Sequence, residues 1–125
     1  MTDRETTIAE LRRVVEEFVD RRDWHQFHTP KNLAMSLAIE AAELMEHFQW
    51  LTADESRAVA QRPEKLAEVA DEVADVFCYI LAMANELRLD LAAALEAKMV
   101  KNAKKYPVEQ FRGRFGPEDP NRASV

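Results

Sequence analysis

Two stretches of the chain each carry a pair of acids three residues apart, Glu40 with Glu43 and Glu72 with Asp75. On a helix that spacing makes the two side chains neighbours. Adjacent carboxylates repel one another unless something positive sits between them. If the two helices pack antiparallel, four carboxylates meet in the interior of a bundle, which is a site for a hard cation. Glu and Asp without His or Cys ligands suit Mg²⁺ or Mn²⁺ far better than Zn²⁺. A di-iron centre needs Glu-x-x-His pairs, and Glu43 and His47 are four apart instead. Mg²⁺ usually keeps several waters and binds through a few carboxylates plus substrate phosphates. Lys98, Asn102 and Lys105, on one side of a later helix, would suit a polyphosphate chain. Trp24, Phe27, His28 and Trp50 could hold a base by stacking and edge hydrogen bonds. No Gly-rich phosphate loop is present, which removes a P-loop mechanism.

Each piece also has a plain reading. A Glu-x-x-Glu pair is commonly a solvated helix face. Tryptophans are commonly packing residues, and Lys98 could extend its head to water from the end of a bundle. Tyr79 and Tyr106 are open in the same way, and the histidines read individually as structural or exposed. Cys78 reads as a small buried apolar residue.

The elements that must position these groups follow from hydrophobic spacing. Leu33, Leu37, Ala41, Leu44, Phe48 and Leu51 share one face of a helix expected to run from Pro30 to about Leu51. Glu40 falls on that face, with Ser36, Glu43 and His47 on its border. A desolvated carboxylate there must find a cation, a proton or water. Thr29 reads as the N-cap and Pro30 as the first helical residue. A first helix is expected over Thr6–Arg22, then a connection holding Trp24, His25, Phe27 and His28. Thr52–Pro63 reads as a connector with a short helix capped by Thr52 and Glu55.

The third long helix is expected from about Glu64 to Arg88. Its main apolar stripe is Leu66, Val69, Ala70, Val73, Phe77, Ile80, Leu81 and Ala84, with Glu72, Asp75 and Tyr79 lying away from it. Val76–Ala84 is apolar on every side, so a partner chain is expected to cover part of it. Asp90 caps a fourth helix, Leu91 to about Tyr106. Residues 1–110 read as one domain and 111–125 as a flexible tail, loosest from Gly116.

With 125 residues, two glycines and a net charge of −6, the composition is that of an all-α protein without a basic surface for a nucleic acid polymer. No apolar run reaches the roughly 20 residues of a membrane span. A lone cysteine and no visible signal peptide make the cytoplasm the expected location.

The stretch RDWHQFHTPKNL (Arg22–Leu33), then Glu40-x-x-Glu43 running into FQW at Trp50, resembles the MazG-like all-α nucleotide pyrophosphohydrolases, most closely their dCTP pyrophosphatase branch. DEVADVFCYILAMA (Asp71–Ala84) and KMVKNAKKYP (Lys98–Pro107) follow in the family's order, so the resemblance covers roughly Leu11 to Pro107. It implies a four-helix-bundle-like subunit assembling as a homodimer or homotetramer, with helices of two subunits building each site. It implies Mg²⁺-dependent hydrolysis of a nucleoside triphosphate to the monophosphate and pyrophosphate. The metal ligands map onto Glu40, Glu43, Glu72 and Asp75. On the residues themselves, Glu40 or Glu43 is the candidate to serve the attacking water, if its geometry reaches it. Trp24 and Trp50 map to the border of the base, with His28 near them. Tyr79, Lys98, Asn102 and Tyr106 map to phosphate or sugar contacts, and Lys105 to a place where a basic residue is common. Relatives often carry glycines where this chain has Ile39, Ala41 and Ala42, and some carry a histidine at the place of Val15.

The expected function is removal of dCTP or a modified dCTP from the nucleotide pool. The alternatives are a pyrophosphohydrolase acting on dUTP or another nucleotide, such as a histidine-pathway phosphoribosyl-ATP, and a non-catalytic helical dimerisation module.

Overall fold

A computed structural model describes residues 1–116, all of whose regular structure is helical. The expectation of a loose segment over residues 117–125 lies outside the described residues. Within residues 1–116 the chain forms two compact units, the first Met1–Leu89 and the second beginning at Asp90.

The first unit opens with α1, Ile8–Asp20, started by a reciprocal cap. Thr7 Oγ1 accepts from the Glu10 N–H, and the Glu10 carboxylate accepts from the Thr7 N–H at 2.7 Å. That hydrogen bond holds the Glu10 carboxyl below its ordinary pKa. The connection to α2 turns at Asp23, whose φ of 52° is one that Asp tolerates better than most residues. In α2, Pro30–Glu46, Thr29 and Pro30 take the expected N-cap and first-turn places. The helix ends five residues short of the expected Leu51. Phe48 and Gln49 both bond back to the Met45 carbonyl, and tight turns carry the chain to Leu51. Trp50 therefore leaves the helix and stands 86 % exposed.

Helix α3, Ala53–Ala58, has the expected Thr52–Glu55 cap and runs into a 3₁₀ turn, Val59–Gln61, that buries Val59. Pro63 opens α4, Pro63–Leu87, which ends at Arg88 in the left-handed conformation, the Leu89 N–H returning to the Ala84 carbonyl. Helix α4 packs along both α2 and α1. Val19, Leu33, Leu81, Ala82 and Ala84 are the buried residues of these three helices. Arg12 locks α1 to the end of α4, donating to Asn85 Oδ1, the Leu89 carbonyl and the Ala84 carbonyl at 2.9, 2.6 and 3.0 Å. Asn85 returns a bond to the Arg12 carbonyl. Removing a charged donor from partly buried carbonyls costs roughly 2 kcal/mol, so Arg12→Ala should lower the denaturant midpoint at unchanged m-value.

The packing keeps the second half of the expected stripe of α4, where Ile80 is half-buried and Leu81 and Ala84 are buried, and corrects its first half. As far as Tyr79, Lys65, Val69, Glu72, Val76 and Tyr79 are the half-buried positions, and Ile80, Met83, Asn85 and Glu86 join them in the last turns. Leu66, Val73 and Phe77 of the expected core stripe are 44 %, 49 % and 37 % exposed. Cys78 is exposed too, not buried, although partial desolvation pushes its thiol pKa up. Over its first half the helix leaves an apolar strip exposed, and the side it gives to α2 carries Glu72.

In the second unit, Asp90 caps α5, Leu91–Lys105, through the Ala93 N–H, and Tyr106 ends it. A short helix not expected from the sequence, α6, Val108–Phe111, follows Pro107, with Phe111 set edge-on against Tyr106. It covers the first residue of the expected tail.

Candidate metal centre

The inward face of α2 carries Leu33, Ser36, Leu37, Glu40, Leu44 and His47, and the facing side of α4 carries Glu72. Oxygens of Glu40, Glu43 and Glu72 all lie within 4.8 Å of one another. Glu43 is exposed, so the cluster opens to solvent on that side. The Glu72 side chain is 21 % exposed, and its Oε2 is buried with no hydrogen-bond partner. Burial pushes the Glu40 carboxyl above its ordinary pKa, and the charges of Glu43, Asp75 and Glu72 add to that push. An orphaned buried acceptor costs roughly 1–3 kcal/mol, and crowded carboxylates cost more as each ionises. A divalent cation answers both costs at once. An all-carboxylate donor set selects a hard one, so the residues present fit such an ion.

Asp75 is exposed, one turn beyond Glu72. It contributes to the negative field at Glu40 and stands outside the group of three that share the 4.8 Å spacing.

Two basic groups border the cluster. Lys65 Nζ donates to His47 Nδ1 at 2.7 Å and pairs with Glu68 at 3.2 Å. A lysine ammonium has no acceptor, so Nδ1 must accept and the ring proton sits on Nε2. That atom is 3.6 Å from Glu72 Oε1. His47 is visible in the sequence as a border residue seven positions after Glu40. Lys65 is not singled out by any local pattern, although it lies seven positions before Glu72 and hence on the same side of α4.

Of the residues expected at the base, Trp24, Phe27 and His28 stand on the connection between α1 and α2, and Trp50 lies in the turns after α2. Trp24 meets Phe18 edge-on at 5.7 Å and lies 6.1 Å from the His28 ring. The Arg22 guanidinium covers Phe18 at 3.5 Å. His28 Nδ1 is buried without a partner. Tyr79 is half-buried on α4. Lys98, Asn102, Lys105 and Tyr106 belong to α5 and its C-cap in the second unit. There Lys98 and Asn102 are one turn apart, and Lys105 Nζ lies 5.3 Å from the centre of the Tyr106 ring.

Fold and site together define an all-α chain whose first unit gathers three carboxylates between two packed helices. Residues 35–114 match the model of the MazG-like family, and the chain belongs to that family. It is similar to dCTP pyrophosphatase 1 of Bos taurus, 40 % identical over 109 residues that make up 87 % of this chain and 64 % of that protein. The same protein of Homo sapiens is 40 % identical over 108 residues, 86 % of this chain and 64 % of that one. The chain thus spans 64 % of the length of these curated relatives. A pyrophosphatase of Archaeoglobus fulgidus, solved by crystallography, shares the fold with a TM-score of 0.75 and 41 % identity, covering 86 % of this chain and 98 % of that one. No helix of the described residues is long and apolar enough to cross a membrane.

Proposed function

We propose that this protein hydrolyses a deoxycytidine-type triphosphate, dCTP or a modified dCTP, to the monophosphate and pyrophosphate with Mg²⁺, clearing it from a cytoplasmic nucleotide pool. The carrying observation is the carboxylate group itself. Glu40, Glu43 and Glu72 converge within 4.8 Å, and the buried Oε2 of Glu72 has no protein partner. Membership of the MazG-like family and similarity to proteins named dCTP pyrophosphatase support the reaction class.

Glu40, Glu43 and Glu72 would hold the ion, Mg²⁺ or Mn²⁺, with Asp75 joining them by turning in from its exposed place one turn beyond Glu72. It would neutralise phosphate oxygens and lower the pKa of water. Glu40 or Glu43 would accept the proton of the attacking water as its oxygen bonds to the α- or β-phosphorus and the bond from that phosphorus to the bridging oxygen between them breaks. Tyr79, Lys98, Asn102, Lys105 and Tyr106 contact phosphate and sugar, the lysines offsetting charge beyond the ion's reach. Trp24 and Trp50 border the base, and the unpaired Nδ1 of His28 offers a hydrogen-bonding group to its edge. The active form is a homodimer or homotetramer in which a second copy covers the exposed stripe of α4.

A panel of nucleoside triphosphates with Mg²⁺, with pyrophosphate and orthophosphate measured separately, tests the reading. dCTP or a modified dCTP should turn over fastest, with pyrophosphate as first product, and a chelator should abolish turnover. Orthophosphate as the first product, or no turnover of any pyrimidine triphosphate, sinks it.

A further inference from the structure

His25 lies within the connection between α1 and α2, and both of its ring nitrogens face carboxylates. Nε2 is 2.6 Å from Asp20 Oδ1 and 3.4 Å from Glu16 Oε1, both on α1. Nδ1 is 2.7 Å from Glu86 Oε1 on α4. Ionised carboxylates only accept, so both nitrogens must donate, which defines the imidazolium. Charge-assisted bonds of this length are the strong kind. Glu16 and Asp20 from α1 and Glu86 from α4 are the charged groups that face the ring. The bond to Glu86 and then that to Asp20 hold the His25 pKa above its ordinary value, against a smaller desolvation. Atoms of Glu16, Asp20 and His25 also lie within 4.8 Å of one another, a spacing a cation could share. A cation at Nε2 would have to displace the proton that the 2.6 Å contact carries, so a proton suits these distances better.

The anchor sits where it matters for the neighbouring residues. Trp24 directly precedes His25, and the Trp24 carbonyl accepts from the N–H groups of Phe27 and His28 at 2.9 and 3.0 Å. Trp24 to His28 is therefore one hydrogen-bonded turn, with His25 as its second residue. The aromatic contacts of Trp24 with Phe18 and Arg22 are local to α1 and the connection. The bond from His25 to Glu86 instead reaches α4, 61 residues away in sequence.

We propose that His25, as an imidazolium, is a positioning residue that ties the Trp24–His28 turn to α1 and α4 at once and so holds the wall on which the base stacks. This rests on the reading of Trp24 and His28 as base contacts. Because the folded pKa is raised, the tie is complete below about pH 6.5. It persists above that value and is lost as pH rises through the folded pKa.

The test follows the His25 ring and the Trp24 indole N–H by NMR while KM and kcat are measured from about pH 6 to about pH 9, in the wild type, H25Q and H25R. His25 should titrate above its ordinary value, and the Trp24 indole should move with the same midpoint. KM should rise roughly tenfold through that midpoint, with kcat little changed. H25R, charged throughout, should keep KM low and flat, and H25Q should show the high KM at every pH. Three results overturn the proposal: a His25 midpoint at the ordinary value, an indole signal indifferent to it, or an H25R profile that keeps the wild-type pH dependence. If no triphosphate is turned over, the functional reading fails by itself, and the indole titration still decides whether His25 holds the turn.

Discussion

Glu40→Gln should lower kcat by roughly 10²–10⁴-fold while raising the melting temperature of the metal-free protein. The two effects have one cause. Glu40 is half-buried beside Glu43 and Glu72, and its carboxyl is pushed up by burial first and then by the charges of Glu43, Asp75 and Glu72. An amide neither accepts the proton of an attacking water at neutral pH nor offers a full charge to a hard cation. The same amide removes one of the crowded negative charges. Such exchanges of function for stability are commonly worth about 0.5–2 kcal/mol.

The pH dependence has a definite sign. A carboxyl whose folded pKa is raised binds more protons folded than unfolded between its ordinary and its raised pKa. Stability of the metal-free wild type therefore falls as pH rises through that window. Glutamine imitates the neutral form, so the melting-temperature gap should be small at low pH and open as pH rises. Saturating Mg²⁺ should reverse the order, since an ion at 100 times its Kd stabilises the wild type by about 2.7 kcal/mol. Thermal melts with chelator and with Mg²⁺, set beside steady-state kinetics, read all three effects. Unchanged kcat, or a melting temperature lowered in chelator at neutral pH, would contradict the role given to Glu40.

What could be read in the sequence was what depends on neighbours along the chain. Thr29 with Pro30, Thr52 with Glu55, and Asp90 are caps made within three residues, and each starts its helix as expected. Glu40 stood out because a carboxylate within an apolar stripe demands a reason. The end of α2 was not legible, because apolar spacing continues through Phe48 and Leu51 with no Pro or Gly to stop it. The first half of the α4 stripe was misassigned for a related reason, while Ile80, Leu81 and Ala84 of its second half are in the core as expected. That first half, Leu66–Ala70–Val73–Phe77, is the stronger amphipathic signal, but a helix pattern cannot say whether its own chain or another covers that stripe. Lys65 against His47, and His25 against Glu86, are contacts 18 and 61 residues apart, which no local pattern encodes.

Val73→Glu should dissociate the assembled protein and take its activity with it. Val73 is 49 % exposed between Ala70 and Phe77, and Leu66 and Phe77 extend the same stripe at 44 % and 37 %. These positions recur at intervals of four, three and four residues, so they form one continuous apolar strip on α4. Apolar strips of this kind mark contact surfaces. In the isolated chain a glutamate at Val73 meets water and leaves the helix intact, so far-ultraviolet circular dichroism should be unchanged. Against a second copy it must lose its hydration without a partner, which at about 3 kcal/mol weakens association on the order of 100-fold. Sedimentation should show the wild type as a dimer or tetramer at micromolar concentration and the variant as a monomer. Because a second copy is proposed to help build each site, turnover should fall with the assembled fraction and recover partly at high protein concentration. A wild type that sediments as a monomer, or a variant that is monomeric and fully active, would show that each chain completes its own site.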